Sequence, residues 1–431
     1  MKRRAIVHIA FTALTILTIS TAGVIWQYRP LAWSHEQQIT SGSGNARIVD
    51  VLADPSGSLV HLAWEDDREK TNQVFYKRSL DGGVTWESDR RLTDLASETI
   101  EPLPRLASNG RELVVLFSDR TTTGEHIFYL ISRDKGWHFS QPVQLTSSLG
   151  YQTNPAASFA GAVLHVVWQN YHRGQWQICY VRSLDSGATW QSSIALTNTE
   201  GQDRHPAISV SGQSVFVVWS RYYQGREAVF FKASYDSGVT WKPEVQLVGY
   251  EPPVFLIFPS IGSNGSSIHV VWNGREVLYS RSLDAGMTWN SATPLTNRSR
   301  EYLAPRISVV GPHLKVISAA IRLEDKNVSA DIYYLQSEDG GTQWAKPVVL
   351  SGHGENGSSL APSISVQADS TFIAWQDNRN GPYEIYLISK PDFAALHGFE
   401  SRLVIPVASI LGVAIATLLL LTIKRPETTQ T

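Results

Sequence analysis

The chain alternates short apolar segments with polar turns, and the segments are too short for long helices. Two of them, VFVVWS (Val215–Ser220) and LHVVWQ (Leu164–Gln169), are apolar and largely β-branched. Such runs are typical of strands that are buried on both faces. A run such as PAISVSG (Pro206–Gly212) precedes each of them, and a run such as AVFFKAS (Ala228–Ser234) follows. A further short run ends in Leu-Thr, so the pattern predicts four strands per unit.

An eight-residue motif, Ser-x-Asp-x-Gly-x-Thr-Trp, follows the third strand of most units. Four copies are intact and two are degenerate: SLDGGVTW from Ser79, SLDSGATW from Ser183, SYDSGVTW from Ser234, SLDAGMTW from Ser282, SRDKGWHF from Ser132 and SEDGGTQW from Ser337. Glycine permits a turn and the aspartate can accept backbone N–H bonds, so the motif predicts a strand connector. We assign structural roles to its aspartates and tryptophans: Asp81, Asp134, Asp185, Asp236, Asp284, Asp339, Trp86, Trp190, Trp241, Trp289 and Trp344.

The spacing of the motif predicts the architecture. Successive aspartates are 48 to 55 residues apart, and a period near fifty is typical of propellers or solenoids. Four strands per unit indicate propeller blades. The first strands of the units begin near seven residues: Arg47, Arg105, Ala156, Ala207, Ser260, Arg306 and Ser363.

The last unit lacks its fourth strand, because Pro391 stands where the motif aspartate would be and no Trp-to-Thr segment follows. The segment WSHEQQIT (Trp33–Thr40) has that spacing and lies before the first unit. We therefore predict an all-β, seven-bladed propeller that is closed by an N-terminal strand completing the last blade.

These motifs resemble Asp-box (BNR) repeats, and residues 32–393 are similar to the sialidase-like β-propeller superfamily. The resemblance implies that the Asp boxes lie on the outer edge of the blades, away from an active site. Six blades are the alternative to seven, since true sialidases have six. Asp boxes also occur in other glycosidases, sorting receptors and noncatalytic propellers, so the resemblance leaves both catalysis and binding open.

Resemblance to the sialidases implies three arginines on the substrate carboxylate, a Tyr nucleophile paired with Glu, and an Asp acid/base. The first arginine of that family lies in a Phe/Tyr-Arg-Ile-Pro motif. The nearest match is Ala46-Arg47-Ile48-Val49, which keeps only Arg-Ile. The acid/base would fall at Asp66 or Asp67.

Arginine also occupies the start of the first strand in the second and sixth units, at Arg105 and Arg306. Together with Arg47, these residues would lie on neighbouring blades and could form an anion site. The alternative is that each arginine pairs with a nearby acid or faces water.

Polar and aromatic loops follow the second strands. In WEDDR (Trp64–Arg68) and WQDNRNG (Trp375–Gly381), an Asp precedes an Arg. The recurrence favours a structural role in which Asp closes a turn and Arg reaches the next blade. The aromatic side chains in these loops could stack on sugar rings or pack between blades: Tyr171, Trp176, Tyr222 and Tyr223.

The composition excludes several functions. A net charge of −2 argues against nucleic acid as the main partner. Cys179 is the only cysteine, and the chain has no HExxH, GxSxG or phosphate-binding glycine loop. We expect no metal or other cofactor, with calcium at Asp377–Asn380 as the alternative.

Both ends of the chain are hydrophobic. Residues 1–28 have the layout of a signal peptide or an uncleaved signal anchor, so this segment is either cleaved or forms a second span. After a linker at 394–402, Leu403–Ile423 has no charge and is followed by Lys424 and Arg425, which predicts a transmembrane helix. The tail 424–431 would then be cytoplasmic and the propeller would lie outside the cell.

Two hypotheses follow from the sequence. The first is a membrane-anchored extracytoplasmic propeller that binds a glycan or protein ligand on one face of the ring. The second is an exo-α-sialidase or related glycoside hydrolase. The incomplete Arg-Ile motif favours the first, and the arginine trio favours the second.

Overall fold

The computed structural model describes residues 33–95, 101–148, 150–249, 257–324, 327–351, 357–367 and 370–391. This described part is all-β and contains no helix. Residues Glu36–Ser389 form one compact unit, and the other unit, at the two ends of the chain, lies mostly outside the described residues. The predicted signal segment, linker, transmembrane helix and cytoplasmic tail also lie outside the described residues.

The strands alternate long and short elements along the chain. The first thirteen are β1 (Gln37–Gln38), β2 (Ala46–Ala53), β3 (Val60–Asp66), β4 (Gln73–Ser79), β5 (Arg90–Arg91), β6 (Arg105–Ser108), β7 (Leu113–Thr121), β8 (Gly124–Ser132), β9 (Val143–Gln144), β10 (Gly150–Ala160), β11 (Val163–His172), β12 (Gln175–Ser183) and β13 (Ile194–Ala195). The next eight are β14 (Gln202–Ser211), β15 (Ser214–Tyr223), β16 (Arg226–Ser234), β17 (Val245–Gln246), β18 (Ser260–Asn264), β19 (Ser267–Asn273), β20 (Val277–Ser282) and β21 (Thr293–Pro294). The last seven are β22 (Glu301–Val310), β23 (His313–Glu324), β24 (Asn327–Ser337), β25 (Val348–Val349), β26 (Ser359–Gln367), β27 (Ser370–Asp377) and β28 (Glu384–Pro391).

These strands pair in seven groups of four, which we call modules. Module 1 is β2–β5, module 2 is β6–β9, module 3 is β10–β13, module 4 is β14–β17, module 5 is β18–β21, module 6 is β22–β25, and module 7 is β26–β28 with β1. Within each module, consecutive strands are antiparallel neighbours. A short parallel contact between β8 and β10 joins modules 2 and 3 into one eight-stranded sheet.

The N-terminal strand β1 completes module 7. Gln37 pairs with Leu387 and Gln38 with Tyr386. The next residue, Ile39, donates its N–H to Ile385 O, and the hydroxyl of Thr40 accepts a bond from Ile385 N at 2.8 Å. The predicted pairing of this segment with the last unit is therefore present.

The core lies between modules, because the second strands are buried on both faces. The aromatic residue near the end of the second strand is fully buried in five modules, at Trp64, Phe117, Trp219, Trp272 and Trp375. One apolar cluster combines residues of modules 7 and 1, and another combines residues of modules 1 and 2. A single module therefore cannot bury its own apolar surface and depends on its neighbours.

The first strands of neighbouring modules contact one another, and β26 also contacts β2. Polar side chains bridge these strands. Ser363 Oγ accepts the N–H of Val51 at 3.2 Å, and Ser260 Oγ accepts the N–H of Ile307 at 3.2 Å. The first strands thus run alongside each other in the same direction, which gives the described fold two distinct ends.

One end, here called the turn end, carries the connectors between third and fourth strands. In each described copy of the eight-residue motif, the serine hydroxyl donates a hydrogen bond to the aspartate. It also accepts the N–H of the glycine at position five, and both bonds are 2.7 to 2.9 Å long. The aspartate also accepts the N–H of the residue four positions later. Hydrogen bonds from the hydroxyl and then the N–H of Thr85, Thr189 and Thr288, together with those from the motif serines, lower the pKa of Asp81, Asp185 and Asp284, respectively, to about 2.

The turns also lock each module to the one before it. Gly136, in the motif of module 2, has φ of 82°, and an added Cβ would collide with the hydroxyl of Tyr76 in module 1. That hydroxyl is bonded to His61 Nδ1 at 2.6 Å. Equivalent pairs, His165 with Tyr180 and His269 with Tyr279, reach the glycines of modules 4 and 6. These contacts join the motif turn of one module to the third strand of the module before it.

Candidate functional site

The end opposite the turns, here called the site end, is where the first strands begin and the second strands end. A residue with positive φ lies within the first strand of five modules and two residues before the first strand of module 2, with φ between 44° and 54°: Ile48, Leu103, Asn154, His205, Ala304 and Ala361. L-residues rarely adopt this conformation. Its repetition shows that it belongs to the construction of the modules rather than to one site.

Glutamine side chains from the preceding module satisfy two of these irregular residues. Gln376 Oε1 accepts the N–H of Ile48 at 2.8 Å, and Gln169 Oε1 accepts the N–H of His205 at 2.9 Å. Both glutamines directly follow the buried tryptophan of a second strand. In module 1 the same position is held by Glu65, which carries a titratable carboxyl group in place of the amide.

The strand register defines one equivalent first-strand position in all seven modules. In module 1 this position is opposite Ala63, the second-strand residue just before the buried Trp64, and the other modules pair in the same way. The first-strand residues at this position are Asp50, Arg105, Ala156, Ala207, Ser260, Arg306 and Ser363. The sequence had placed Arg47 at this position in module 1. Arg47 instead lies three residues earlier, opposite Glu65, and Asp50 occupies this position.

Arg105 and Arg306 are the predicted arginines that the structure brings together. The pKa of Arg306 is lowered to about 10, mainly by burial and also by the charge of Arg105. The charge of Asp50 acts in the opposite direction. Arg306 is partly buried and makes no hydrogen bond or ion pair with any described residue. Arg105 Nη1 donates to the neighbouring Pro104 O at 3.0 Å. The pair therefore concentrates positive charge without an acidic partner in direct contact.

Asp50 does not neutralise these arginines directly, because its oxygens are already used. Oδ2 accepts the N–H of Leu106 at 2.8 Å, and Oδ1 accepts the hydroxyl of Ser363 at 2.7 Å. The carboxylate thus bridges the first strands of modules 7, 1 and 2. Its position is fixed beside the arginines.

Arg204 and His205 extend the same charged region and were missed by sequence reasoning. Arg204 Nε and His205 Nε2 are buried, and neither makes a hydrogen bond within the described structure. Burial and the charges of Arg204 and Arg306 lower the pKa of His205 to about 4, so its imidazole is neutral. Arg204 precedes Ala207 by three residues, as Arg47 precedes Asp50, and this shared offset was the signal that could have identified it.

The predicted ligand residue Arg47 has acidic neighbours instead. Its Nε lies 3.3 Å from Glu65 Oε1, and its Nη2 lies 3.9 Å from Asp67 Oδ2. Nη2 also donates to Asn72 at 3.3 Å. Arg47 is therefore part of an ion-pair cluster. This is the alternative given above, in which an arginine pairs with a nearby acid.

Glu65 is the most unusual acid of the site end. The side chain is fully buried, and neither carboxyl oxygen makes a hydrogen bond within the described residues. The pKa of Glu65 is raised to about 7, mainly by burial. The charge of Arg47 acts against this shift, and the nearby acids Glu101, Asp67 and Asp66 add to it. A carboxyl with a pKa near neutrality can exchange a proton under physiological conditions.

The weak catalytic candidates Asp66 and Asp67 are engaged in local structure. Asp66 accepts bonds from the Trp64 indole at 3.1 Å and from the N–H of Arg68 at 2.9 Å. Asp67 accepts the N–H and the side-chain amide of Asn45 at 2.6 and 3.0 Å. These bonds fit turn closure.

The arrangement around Asp66 recurs in two other modules. Arg68 pairs with Asp66, Arg221 with Asp203, and Arg379 with Asp377. Each guanidinium also stacks on a ring of its own third strand and pairs with a further acid of its own module. The arginines were expected to reach the next blade, but they remain in their own module because the adjacent aromatic ring and acids hold them.

Aromatic side chains line the site end of module 3. The ring centroids of Tyr151 and Tyr171 are 6.3 Å apart, and those of Tyr171 and Trp176 are 5.2 Å apart. Tyr151 is exposed, as is Tyr222 in module 4, whereas Tyr223 donates to Glu200 at 3.2 Å. Stacking on a sugar is sterically open to the exposed rings.

The described residues include no group of three His, Cys, Asp or Glu side chains that could hold a metal ion. In the predicted calcium segment, Asp377 binds Ser359, Trp375 and Arg379. Across the described ranges, no helix is long and apolar enough to cross a membrane.

No family model and no curated protein matches the chain. Solved structures do match it. A mutant of Trypanosoma rangeli sialidase displaying trans-sialidase activity has 13% identity and a TM-score of 0.49, and the match covers 86% of this chain and 61% of that chain. The phage phi92 endosialidase has 9% identity and a TM-score of 0.49, with 84% and 69% coverage. YCF48 bound to D1 peptide has 16% identity and a TM-score of 0.47, with 85% and 97% coverage. This chain thus spans about three fifths of the trypanosomal enzyme.

Proposed function

We propose that this protein is a membrane-anchored, extracytoplasmic β-propeller that binds a carboxylate-bearing ligand at its site end. In this proposal the seven modules are blades of one ring, closed by β1. Pairing of β1 with β28 and the contact of β26 with β2 support closure. The two terminal apolar runs of the sequence support the anchor.

The observation that carries the proposal is the pair Arg105 and Arg306. Two guanidiniums at equivalent strand positions lie close enough for their charges to repel, and neither makes an ion pair with a described residue. A buried charge without a partner is costly. An anionic ligand would remove that cost, and guanidinium matches the two oxygens of a carboxylate.

The nearby groups favour a carboxylate attached to a larger polar molecule. Arg204 and His205 add donors beside Arg306, and the ring of Trp176, 5.9 Å from the Arg204 guanidinium, offers an apolar face. An acidic glycan, such as one ending in a sialic or uronic acid, presents both features. An acidic segment of a protein is the other ligand class that this surface fits.

Binding can be tested by calorimetry with N-acetylneuraminic acid, glucuronic acid and an acidic peptide as probes. Arg105→Ala and Arg306→Ala should each weaken binding by about 1.5 to 3 kcal/mol, the usual value of a charged hydrogen bond. Arg111→Ala is the control, since its side chain is 85% exposed at the turn end. Unchanged affinity in both variants would contradict the proposal.

A glycoside hydrolase of the sialidase type is the second candidate, and Glu65 is the observation that favours it. Its pKa of about 7 would suit general acid/base chemistry. A fluorogenic sialoside should then be cleaved, and Glu65→Gln, Asp66→Asn or Asp67→Asn should lower the rate by roughly a hundredfold or more. Absence of cleavage by the parent protein would reject this candidate.

The anchor has its own test. Protease added to intact cells should digest the propeller and leave a tag placed after Lys424 protected. Digestion of that tag from outside would refute the proposed topology.

A further inference from the structure

The turn end exposes a recurring set of apolar side chains. They occupy the second and sixth positions of the eight-residue motif and are 52% to 74% exposed: Leu80, Val84, Trp137, Leu184, Val239, Leu283 and Met287. They make up half of the fourteen large apolar side chains that are exposed in the described structure. Isolated exposed apolar residues are ordinary, but a repeated set at one end indicates an interaction surface.

Packing does not explain these side chains, apart from Trp137, over whose ring the Arg78 guanidinium lies at 3.8 Å. The motif tryptophan turns inward and packs against the core, for example Trp190 against Tyr129 with ring centroids 5.4 Å apart. The neighbouring residues at positions two and six point away from that contact and meet solvent. In module 6 the same positions hold Glu338 and Thr342, so the turn itself does not require an apolar residue there.

The ends of the described chain lie at the same end of the fold. Each third strand runs toward its turn, and β28 is the third strand of module 7, so Pro391 lies where the motif of that module would be. The strand β1 begins there as well, since Gln37 pairs with Leu387. Trp86, in the turn of module 1, donates to Gln37 at 3.2 Å.

Only short segments connect these ends to the apolar runs of the sequence. Residues 392–402 separate Pro391 from the apolar run at Leu403, and residues 27–36 separate the first run from Gln37. A segment of this length spans at most about 40 Å when fully extended. A long second strand such as β23 already approaches that length at ~3.3 Å per residue, so the site end could face the membrane only with a fully stretched linker.

We infer that the turn end rests on the bilayer surface, with the apolar tips of the turns of modules 1 to 5 in the lipid interface and the arginine site directed away from it. This inference rests on the proposed membrane anchor. Trp137, with Arg133 and Lys135 beside it, has the composition that favours the interfacial region. The contact is shallow, because the motif aspartates remain ionised and bonded within their turns.

Single-cysteine labelling can test this orientation in the full-length protein. The native Cys179 is buried, and burial raises the pKa of its thiol to about 12, so it should resist labelling. Val84→Cys and Met287→Cys place a fluorophore at the turn end, and His172→Cys places it at the exposed site end. The labelled chains are reconstituted into phosphatidylcholine vesicles and tested with iodide in water and with a doxyl-labelled lipid.

The turn-end labels should be quenched several-fold more strongly by the doxyl lipid than the site-end label, and several-fold less by iodide. Equal responses at all three positions would overturn the inference. Turn-end labels that are protected from iodide but not quenched by the lipid would also overturn it, since a protein surface would then cover this end.

Flotation of the vesicles separates the two levels of the argument. If the full-length chain does not float with the vesicles, the anchor and the orientation both fail. If it floats and the turn-end labels respond as labels in water do, only the orientation fails.

Discussion

The two ends of the fold are built on opposite principles. At the turn end, the same serine, aspartate and glycine interactions recur with distances of 2.7 to 2.9 Å. Within the motifs, only the indoles of Trp190, Trp241 and Trp344 are buried without a hydrogen bond to a described residue. At the site end, equivalent positions hold different residues, and buried polar atoms of Glu65, Arg204 and His205 lack hydrogen bonds within the described residues.

This difference separates structural from functional information in a repeat protein. Repeated, mutually bonded groups stabilise the modules, and their repetition makes them poor markers of a ligand site. Groups that depart from the repeat and remain unpaired lower stability unless something else compensates. The site end therefore identifies where a ligand is expected, although it has no sequence motif.

The largest expected effect is a loss of folding that disrupts the turn end and the site end together. Deleting residues 33–40 removes β1, so β28 would lose its partner and module 7 would expose a strand edge. We expect the truncated protein to aggregate or to lose cooperative unfolding, as followed by circular dichroism in denaturant. A parent-like melting curve would show that β1 is dispensable. His35→Ala, an exposed position just before β1, is the matched control.

Trp190→Ala should damage the turn end alone. Trp190 packs edge-on against Tyr129 of the preceding module, and removing a large aromatic from such a contact costs about 3 kcal/mol. Denaturant unfolding measures the loss, and Leu184→Ala in the same turn, at an exposed position, is the control. Binding of an acidic ligand at the site end should be unchanged in the folded variant.

Much of the turn end could be predicted from sequence, because its interactions are local. Ser183, Asp185 and Gly187 lie within five residues, so their pattern carries their geometry. The pairing of β1 with β28 was also predictable, since Trp33–Thr40 keeps the spacing of a fourth strand. There the chain itself records which contacts must form.

The site end could not be predicted to the same extent, because its contacts join distant parts of the chain. Asp50 occupies the position shared by Arg105 and Arg306, and Arg47 lies three residues before it. Neither this register nor the burial of Glu65 has a local signature in the sequence. Assigning Arg47 required knowing the residue opposite it, Glu65.

Glu65→Gln should stabilise the protein in a pH-dependent way. The folded state holds a proton on Glu65 up to about pH 7, whereas the unfolded state releases it near pH 4.5. Stability should therefore fall as pH rises between these values, and glutamine should remove that fall and gain roughly 2 to 3 kcal/mol at pH 8.

Urea unfolding at pH 5 and pH 8 measures this difference. Glutamine already occupies the equivalent position at Gln169 and Gln376, where it binds the next module. Glu276→Gln, an acid outside the Glu65 cluster, is the control. A Glu65 variant that is equally stabilised at both pH values would refute a titrating Glu65.

The smallest effects should also be the most uniform. Replacing the motif serine by alanine removes a buried acceptor of a glycine N–H, which costs about 1 to 2 kcal/mol. We expect similar losses in each turn, because the bonds are alike: Ser79, Ser132, Ser183, Ser234, Ser282 and Ser337.

Alanine substitutions at the equivalent first-strand position should instead change stability in opposite directions in different modules. Asp50→Ala should destabilise, since two bonds are lost, whereas Arg306→Ala should stabilise by removing an unpaired, desolvated charge. Denaturant midpoints of the eight variants test this contrast, and a destabilised Arg306→Ala would show that Arg306 supports the fold rather than a ligand.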